Sequence, residues 1–296
     1  MSTTTQKRFA IETLYKNGAM TMLALDQRGS MRTILAGYGD ESHITDADVV
    51  TFKKTAAVVL ASMASGVLLD LEYGREAIAA LPKNVPLILS GDKFDQPVGK
   101  PVTNSVVDPE VTVETIHKTG AVAVKFLTIW RRDSGVEARA EQISRFVELA
   151  RRAGVISLVE GLVRMPNDEP FPDARSHGEA VLAAAREIAA FKPDIYKAEV
   201  PGYRKGDLGI VGDYSRKLTA LLDCPWVVLS SGVDAQDFPE GVRLAVAGGA
   251  SGFLAGRAIW ADAAKSTDPQ GEIRKLSIGR FERLLESVRQ GKAAMH

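Results

Sequence analysis

The sequence has one cysteine, Cys224, so it can form no internal disulfide and no multi-cysteine metal site. That count also fits a reducing compartment. It has no net charge, with 37 basic against 37 acidic side chains. A nucleic-acid binder that relies on a bulk positive field is thereby disfavoured, while local basic pockets for small anions remain open. No apolar run approaches the ~20 residues needed to span a bilayer. Met1 to Arg8 is polar, without the apolar core of a signal peptide. A cytoplasmic protein with no membrane partner is expected. Histidines are few, and neither a Ser/His/Asp nor a zinc-type spacing occurs.

What the chain does have is a recurring apolar segment. Met20–Asp26, Gly66–Glu72, Val85–Asp92, Ala121–Leu127, Val155–Gly161, Asp194–Val200, Pro225–Gly232 and Ala250–Arg257 are short and rich in Val, Leu, Ile and Ala. Such runs suit strands buried on both faces of a parallel sheet. Helical patterns separate them. Thr45–Ser65 opens on Thr45 and Asp48, a capping-box start. Asp108-Pro109 reads as an N-cap with Pro at the first helical position, and Gly120 as the stop of that helix. Ala138–Ala153 stops at Gly154, and His177–Phe191 ends before Pro193. A helix at about 9–16 is expected to plug the bottom of the fold, and a long final helix is expected at about 273–290, ending at Gly291. Eight βα units in 296 residues favour one (β/α)8 barrel domain over residues 1–296. The runner-up, a doubly wound sheet, would normally carry a Gly-rich turn after its first strand. The turn here is Asp26-Gln27-Arg28-Gly29-Ser30.

Catalytic groups of such barrels sit at the C-terminal ends of the strands. The polar residues there are Asp26, Asp70, Glu72, Asp92, Lys125, Glu160, Lys197, Glu199, Ser230, Ser231 and Arg257. Buried strands carry few charges because desolvating an ion is costly, so a ring of them calls for a site. Lys125 and Lys197 lie inside strongly apolar strands. If both point inward they are near neighbours, and each lowers the other's pKa, as burial also does. A neutral amine is what Schiff-base chemistry requires. Glu199 offers a plainer reading, because strict alternation puts it beside Lys197 as an ion-pair partner. Glu160, on the strand between the two lysines, can move protons. Asp26 can orient the amines or bind hydroxyls, and either acid can also be a simple partner of Lys125. The last two strands run into Ser230-Ser231-Gly232 and Gly256-Arg257, the place where this fold commonly holds phosphate. Asp70, Glu72 and Asp92 could suggest a metal, but no histidine joins them.

These motifs resemble class I (Schiff-base) aldolases of the tagatose-1,6-bisphosphate aldolase type, and most closely their sulfoglycolytic relatives, the 6-deoxy-6-sulfofructose-1-phosphate aldolases. The matching stretches are Ala24–Arg28, Lys125 with Trp130-Arg131, Val159-Glu160, Asp194–Lys197 leading to Pro201, Pro225–Asp234 and Gly249–Ala261. The resemblance implies a homo-oligomeric lyase, a dimer or tetramer, with no metal or other cofactor and a ketose phosphate as substrate. Lys197 would form the Schiff base, Glu160 would be the acid/base, and Lys125 and Asp26 would support them. Ser230, Ser231, Gly232, Gly256 and Arg257 would bind substrate anions, and Gln27 and Arg28 would read the far end. One departure is Gly161, where the resemblance leads one to expect Pro beside the acid. Bisphosphate cleavage and a non-catalytic phosphosugar-binding barrel are the alternative functions.

Overall fold

Both faces of each barrel strand are buried, which is why those segments read as continuous apolar runs rather than as alternating ones. The computed structural model describes residues 9–95 and 102–295. In chain order the strands are β1 (Met20–Leu25), β2 (Val67–Leu69), β3 (Leu87–Ser90), β4 (Asp92–Asp95), β5 (Asn104–Val107), β6 (Ala123–Trp130), β7 (Ile156–Val163), β8 (Ile195–Ala198), β9 (Trp226–Val228) and β10 (Gly252–Ala255). All except β4 and β5 form a closed parallel barrel, in which β3 pairs with β6 and β10 returns to β1. β4 and β5 pair as a separate two-stranded antiparallel sheet, which the pattern of apolar runs did not disclose.

The outer layer contains α1 (Gly29–Leu35), α2 (Asp46–Leu60), α3 (Arg75–Ala80), α4 (Val113–Thr119), α5 (Val136–Ala153), α6 (Ala174–Ala189), α7 (Val211–Leu221), α8 (Phe238–Ala247), α9 (Arg257–Ala264), α10 (Pro269–Glu272) and α11 (Ile278–Ala293). The capping box at Thr45 and Asp48 is present. Asp108 is not an N-cap. It closes a local turn by accepting from the Glu110 amide, and α4 starts at Thr112, whose hydroxyl accepts from the Thr115 amide. Gly120 and Gly154 do end their helices in left-handed conformations. Gly291 does not. It lies inside α11, where a Cβ would sit 2.6 Å from the Arg243 carbonyl, so the glycine permits close packing on α8.

The expected helix at 9–16 is a single 3-10 turn, Ile11–Leu14, because Asn17-Gly18 takes positive φ and reverses the chain. It still closes the barrel bottom. Leu14 is fully buried against Met20, Met22, Leu68, Ile88, Ile156, Ile195 and Leu254 of the barrel interior. Among the described residues, no helix is long and apolar enough to cross a membrane.

One buried ion pair lies outside the barrel. Lys53 of α2 pairs with Asp70, and both side chains are fully buried. Asp70 also accepts from the Tyr73 amide at 2.8 Å. Removing one member leaves an uncompensated buried charge. Lys53→Met is therefore expected to destabilise the protein by about 3–5 kcal/mol, measured by urea unfolding. Pairing it with Asp70→Asn should recover a large part of the loss, and failure to do so would assign the cost to packing.

Candidate active site

A strand's side chains alternate between its two faces. Inward positions below the barrel mouth are Ala24, Ile88, Ala123, Leu158, Ile195, Val227 and Leu254, one interior layer. Two residues further along each strand come Asp26, Ser90, Lys125, Glu160, Lys197, Leu229 and Gly256. Of these, all but Ser90 line one chamber of about 180 Å³. The register puts Glu160 directly opposite Lys197 on the neighbouring strand.

The charged groups at the floor are joined through one carboxylate oxygen. Glu160 Oε2 accepts from Lys197 Nζ at 2.8 Å and lies 3.3 Å from Lys125 Nζ. Lys125 Nζ also meets Asp26 at 2.6 Å and Asp92 at 3.0 Å. Asp92 is fixed in turn by the Leu127 amide at 2.8 Å and the Ser90 hydroxyl at 3.0 Å. Asp26, Lys125, Glu160 and Lys197 are between 2% and 6% exposed.

Burial opposes the Lys125 charge, but Asp26, Asp92 and Glu160 outweigh it and hold its pKa well above the ordinary lysine value. The expected mutual lowering therefore fails for Lys125, which is a permanent cation at neutral pH. Asp26 is the converse case. Burial alone would raise it, yet Lys125, Lys197 and Arg28 hold it far below the usual carboxylate range.

The other candidates divide. Gln27, Ser230, Ser231, Gly256 and Arg257 line the chamber. Arg257 donates to the Ser231 hydroxyl, and no carboxylate among the described residues pairs with it. Gly232, with φ +76°, lines an adjoining chamber of about 330 Å³ that shares Ser231 and Arg164 with the first. Arg28 is not at the chamber. Its guanidinium is drawn away to the Asp92 carbonyl at 2.8 Å and the Ser90 hydroxyl at 3.3 Å, and it stacks 4.7 Å over Phe94.

Glu199 does not pair with Lys197. β8 ends at Ala198, so alternation stops, and Glu199 turns to the Val163 amide, Arg164 and His177. β2 likewise ends at Leu69, which frees Asp70 to face α2, while Glu72 is largely exposed beside Arg28. Of the three acids considered for a metal, Asp70 faces Lys53, while Glu72 and Asp92 both face Arg28.

Gly161 continues β7 between Thr128 and Ala198. A Cβ there would meet the buried Tyr196 phenol at 2.6 Å, and a proline would remove a ladder hydrogen bond. Sequence reasoning missed Arg164, Phe94 and Val102 as lining residues. Arg164 could have been found by carrying the period-2 count from Glu160 through Leu162.

Residues 20–262 match the DeoC/LacD family aldolases. The tagatose 1,6-diphosphate aldolase of Lactococcus lactis subsp. lactis is 30% identical, with 92% of this chain and 90% of the relative covered. That of Staphylococcus aureus (strain MSSA476) is 29% identical with the same coverage. Among solved structures, a fructose-bisphosphate aldolase from Plasmodium falciparum superposes with a TM-score of 0.72 at 15% identity, covering 95% of this chain and 93% of the other. A Schiff-base-forming fructose-1,6-bisphosphate aldolase does so with a TM-score of 0.62 at 21% identity, covering 90% and 96%. These likenesses in shape speak for the barrel alone. The sequence match over most of the chain says more: the protein belongs to the DeoC/LacD family of aldolases, which are carbon–carbon lyases.

Proposed function

We propose that this aldolase is of class I and cleaves 6-deoxy-6-sulfofructose 1-phosphate to dihydroxyacetone phosphate and 3-sulfolactaldehyde through a Schiff base on Lys197. The observation that carries the class I reading is the Lys197–Glu160 contact at 2.8 Å beside a second, permanently charged lysine. Glu160 takes a proton from Lys197 Nζ, and the freed amine attacks C2 of the ketose. Protonation of the C2 hydroxyl expels water and leaves an iminium ion, an electron sink. Removal of the C4 hydroxyl proton then breaks C3–C4. The aldehyde departs, and the electron pair is held as the enamine. Protonation at C3 and hydrolysis release dihydroxyacetone phosphate and restore the amine. Lys125 and Asp26 stabilise charge and orient hydroxyls during these steps.

The sulfonate reading rests on the chamber's β1 side. With Arg28 drawn away, that wall offers the Gln27 side-chain amide and the Ser30 hydroxyl beside the apolar Phe94 and Val102. Neutral donors suit a sulfonate of charge about −1 better than a phosphate near −2. The 30% identity to tagatose 1,6-diphosphate aldolases favours the second reading, cleavage of a ketose 1,6-bisphosphate to dihydroxyacetone phosphate and glyceraldehyde 3-phosphate. Steady-state kinetics on both substrates decide between them. A kcat/KM higher for the bisphosphate would overturn the sulfonate assignment.

Arg257 supplies the anion contact in either case. Arg257→Ala is expected to raise KM by about 10- to 100-fold, the worth of a hydrogen bond to a charged group. An unchanged KM would place the phosphate elsewhere.

A further inference from the structure

We propose that Arg164 is a second arm of the site for the 1-phosphate, closing from β7 while Arg257 closes from the end of β10, with Ser231 between them. The proposal deepens the aldolase reading and rests on it for the identity of the anion.

Position is the first argument. Leu158, Glu160, Leu162 and Arg164 follow the inward period of β7, and the last three line the chamber. Arg164 and Ser231 both line the central and the adjoining chamber, so they stand on the shared wall. The Ser231 hydroxyl is already engaged by Arg257.

Charge is the second argument. At the floor, Lys125 and Lys197 face Asp26 and Glu160 in a balanced set. At the shared wall, Arg164 and Arg257 face one carboxylate, Glu199, which lies 3.5 Å from Arg164. Arg257 has no carboxylate within ion-pair distance among the described residues; its side-chain partner is the Ser231 hydroxyl. Burial is the main influence weighing against the Arg257 charge, and Arg164 adds to it. Two guanidinium groups held this close repel until an anion joins them.

The third argument is the tether. Arg164 bonds the Val163 carbonyl at 2.7 Å and Glu199 through the same nitrogen, Nη1. Nε and Nη2 have no protein partner among the described residues, so the fork has donors to offer. Glu199 is fixed by the Val163 amide at 2.9 Å, with His177 3.7 Å away. Glu199 is thus a positioning residue, which sets the fork without consuming it.

Dihydroxyacetone phosphate separates the two ends of the substrate, because it carries the 1-phosphate and lacks the distal group. Its borohydride-dependent labelling of the protein is titrated in wild type, Arg164→Gln and Arg164→Lys. Arg164→Gln should raise the half-saturating concentration about tenfold, as loss of a charged contact does, and leave maximal labelling intact. Arg164→Lys should recover part of the shift, since it keeps the charge and loses the fork. An unchanged half-saturation with a raised KM for the six-carbon substrate would assign Arg164 to the distal group and overturn the proposal. If wild type forms no adduct, the Schiff-base reading fails by itself. The site is then tested by calorimetric titration with inorganic phosphate, where equal affinity in wild type and Arg164→Gln would refute a role for this arginine.

Discussion

Lys197→Ala is expected to abolish turnover, by on the order of 10⁴-fold or more, because in the proposed mechanism the C3–C4 bond breaks only in the iminium formed on this lysine. Borohydride-dependent labelling should vanish with it. Lys125 cannot substitute. Three carboxylates within 3.3 Å keep its amine protonated at neutral pH, so it has no lone pair to offer C2. Lys197 has Glu160 as its one carboxylate partner among the described residues, and that carboxylate can accept its proton directly. The register agrees, since Glu160 and Lys197 are opposite one another on adjacent strands. Peptide mapping of the reduced wild-type adduct should place the three-carbon unit on the peptide containing Lys197. Finding it on the Lys125 peptide would reverse the two roles.

The barrel was legible because doubly buried parallel strands leave a pattern of continuous apolar runs, and eight such runs are visible. Period-2 counting from that pattern leads to Asp26, Lys125, Glu160 and Lys197, which the fold brings together at the chamber floor. Where it failed, it failed at strand ends. β2 and β8 stop one residue short of Asp70 and Glu199, so those acids leave the alternation and find partners outside the ring. No local signal marks such an end, because it is set by how the next helix docks.

The sign of the Lys125 shift was illegible for a different reason. It depends on Asp92, whose approach is fixed by the Leu127 amide and Ser90 on separate strands. Arg28 likewise had two destinations, and β4 decided between them by supplying Phe94 and the Asp92 carbonyl.

Lys125→Met should destabilise the protein by about 3–5 kcal/mol at pH 7, the cost of leaving buried charge unpaired, and should lower turnover while Lys197 still takes label. The pH dependence identifies the cause. In the wild type, Asp26 titrates far below its unfolded value of about 3.9. Its stabilising contribution is therefore complete above that value and lost as pH falls through the depressed folded value. Lys125 is shifted upward, so its contribution is complete below its unfolded value near 10.5 and lost only as pH rises beyond it. Between about pH 5 and pH 10 the wild-type contribution of the pair is flat. In the variant, the cation 2.6 Å from Asp26 is gone, and only Lys197 and Arg28 are left to oppose burial, so this acid moves up from its depressed value. It then takes up its proton at a higher pH than in the wild type, so acidification narrows the difference between the two. Urea unfolding at pH 7 and pH 4.5 should show the deficit shrinking at the lower pH. A deficit equal at both would mean that the lost methylene packing, and not the carboxylates, carries the cost.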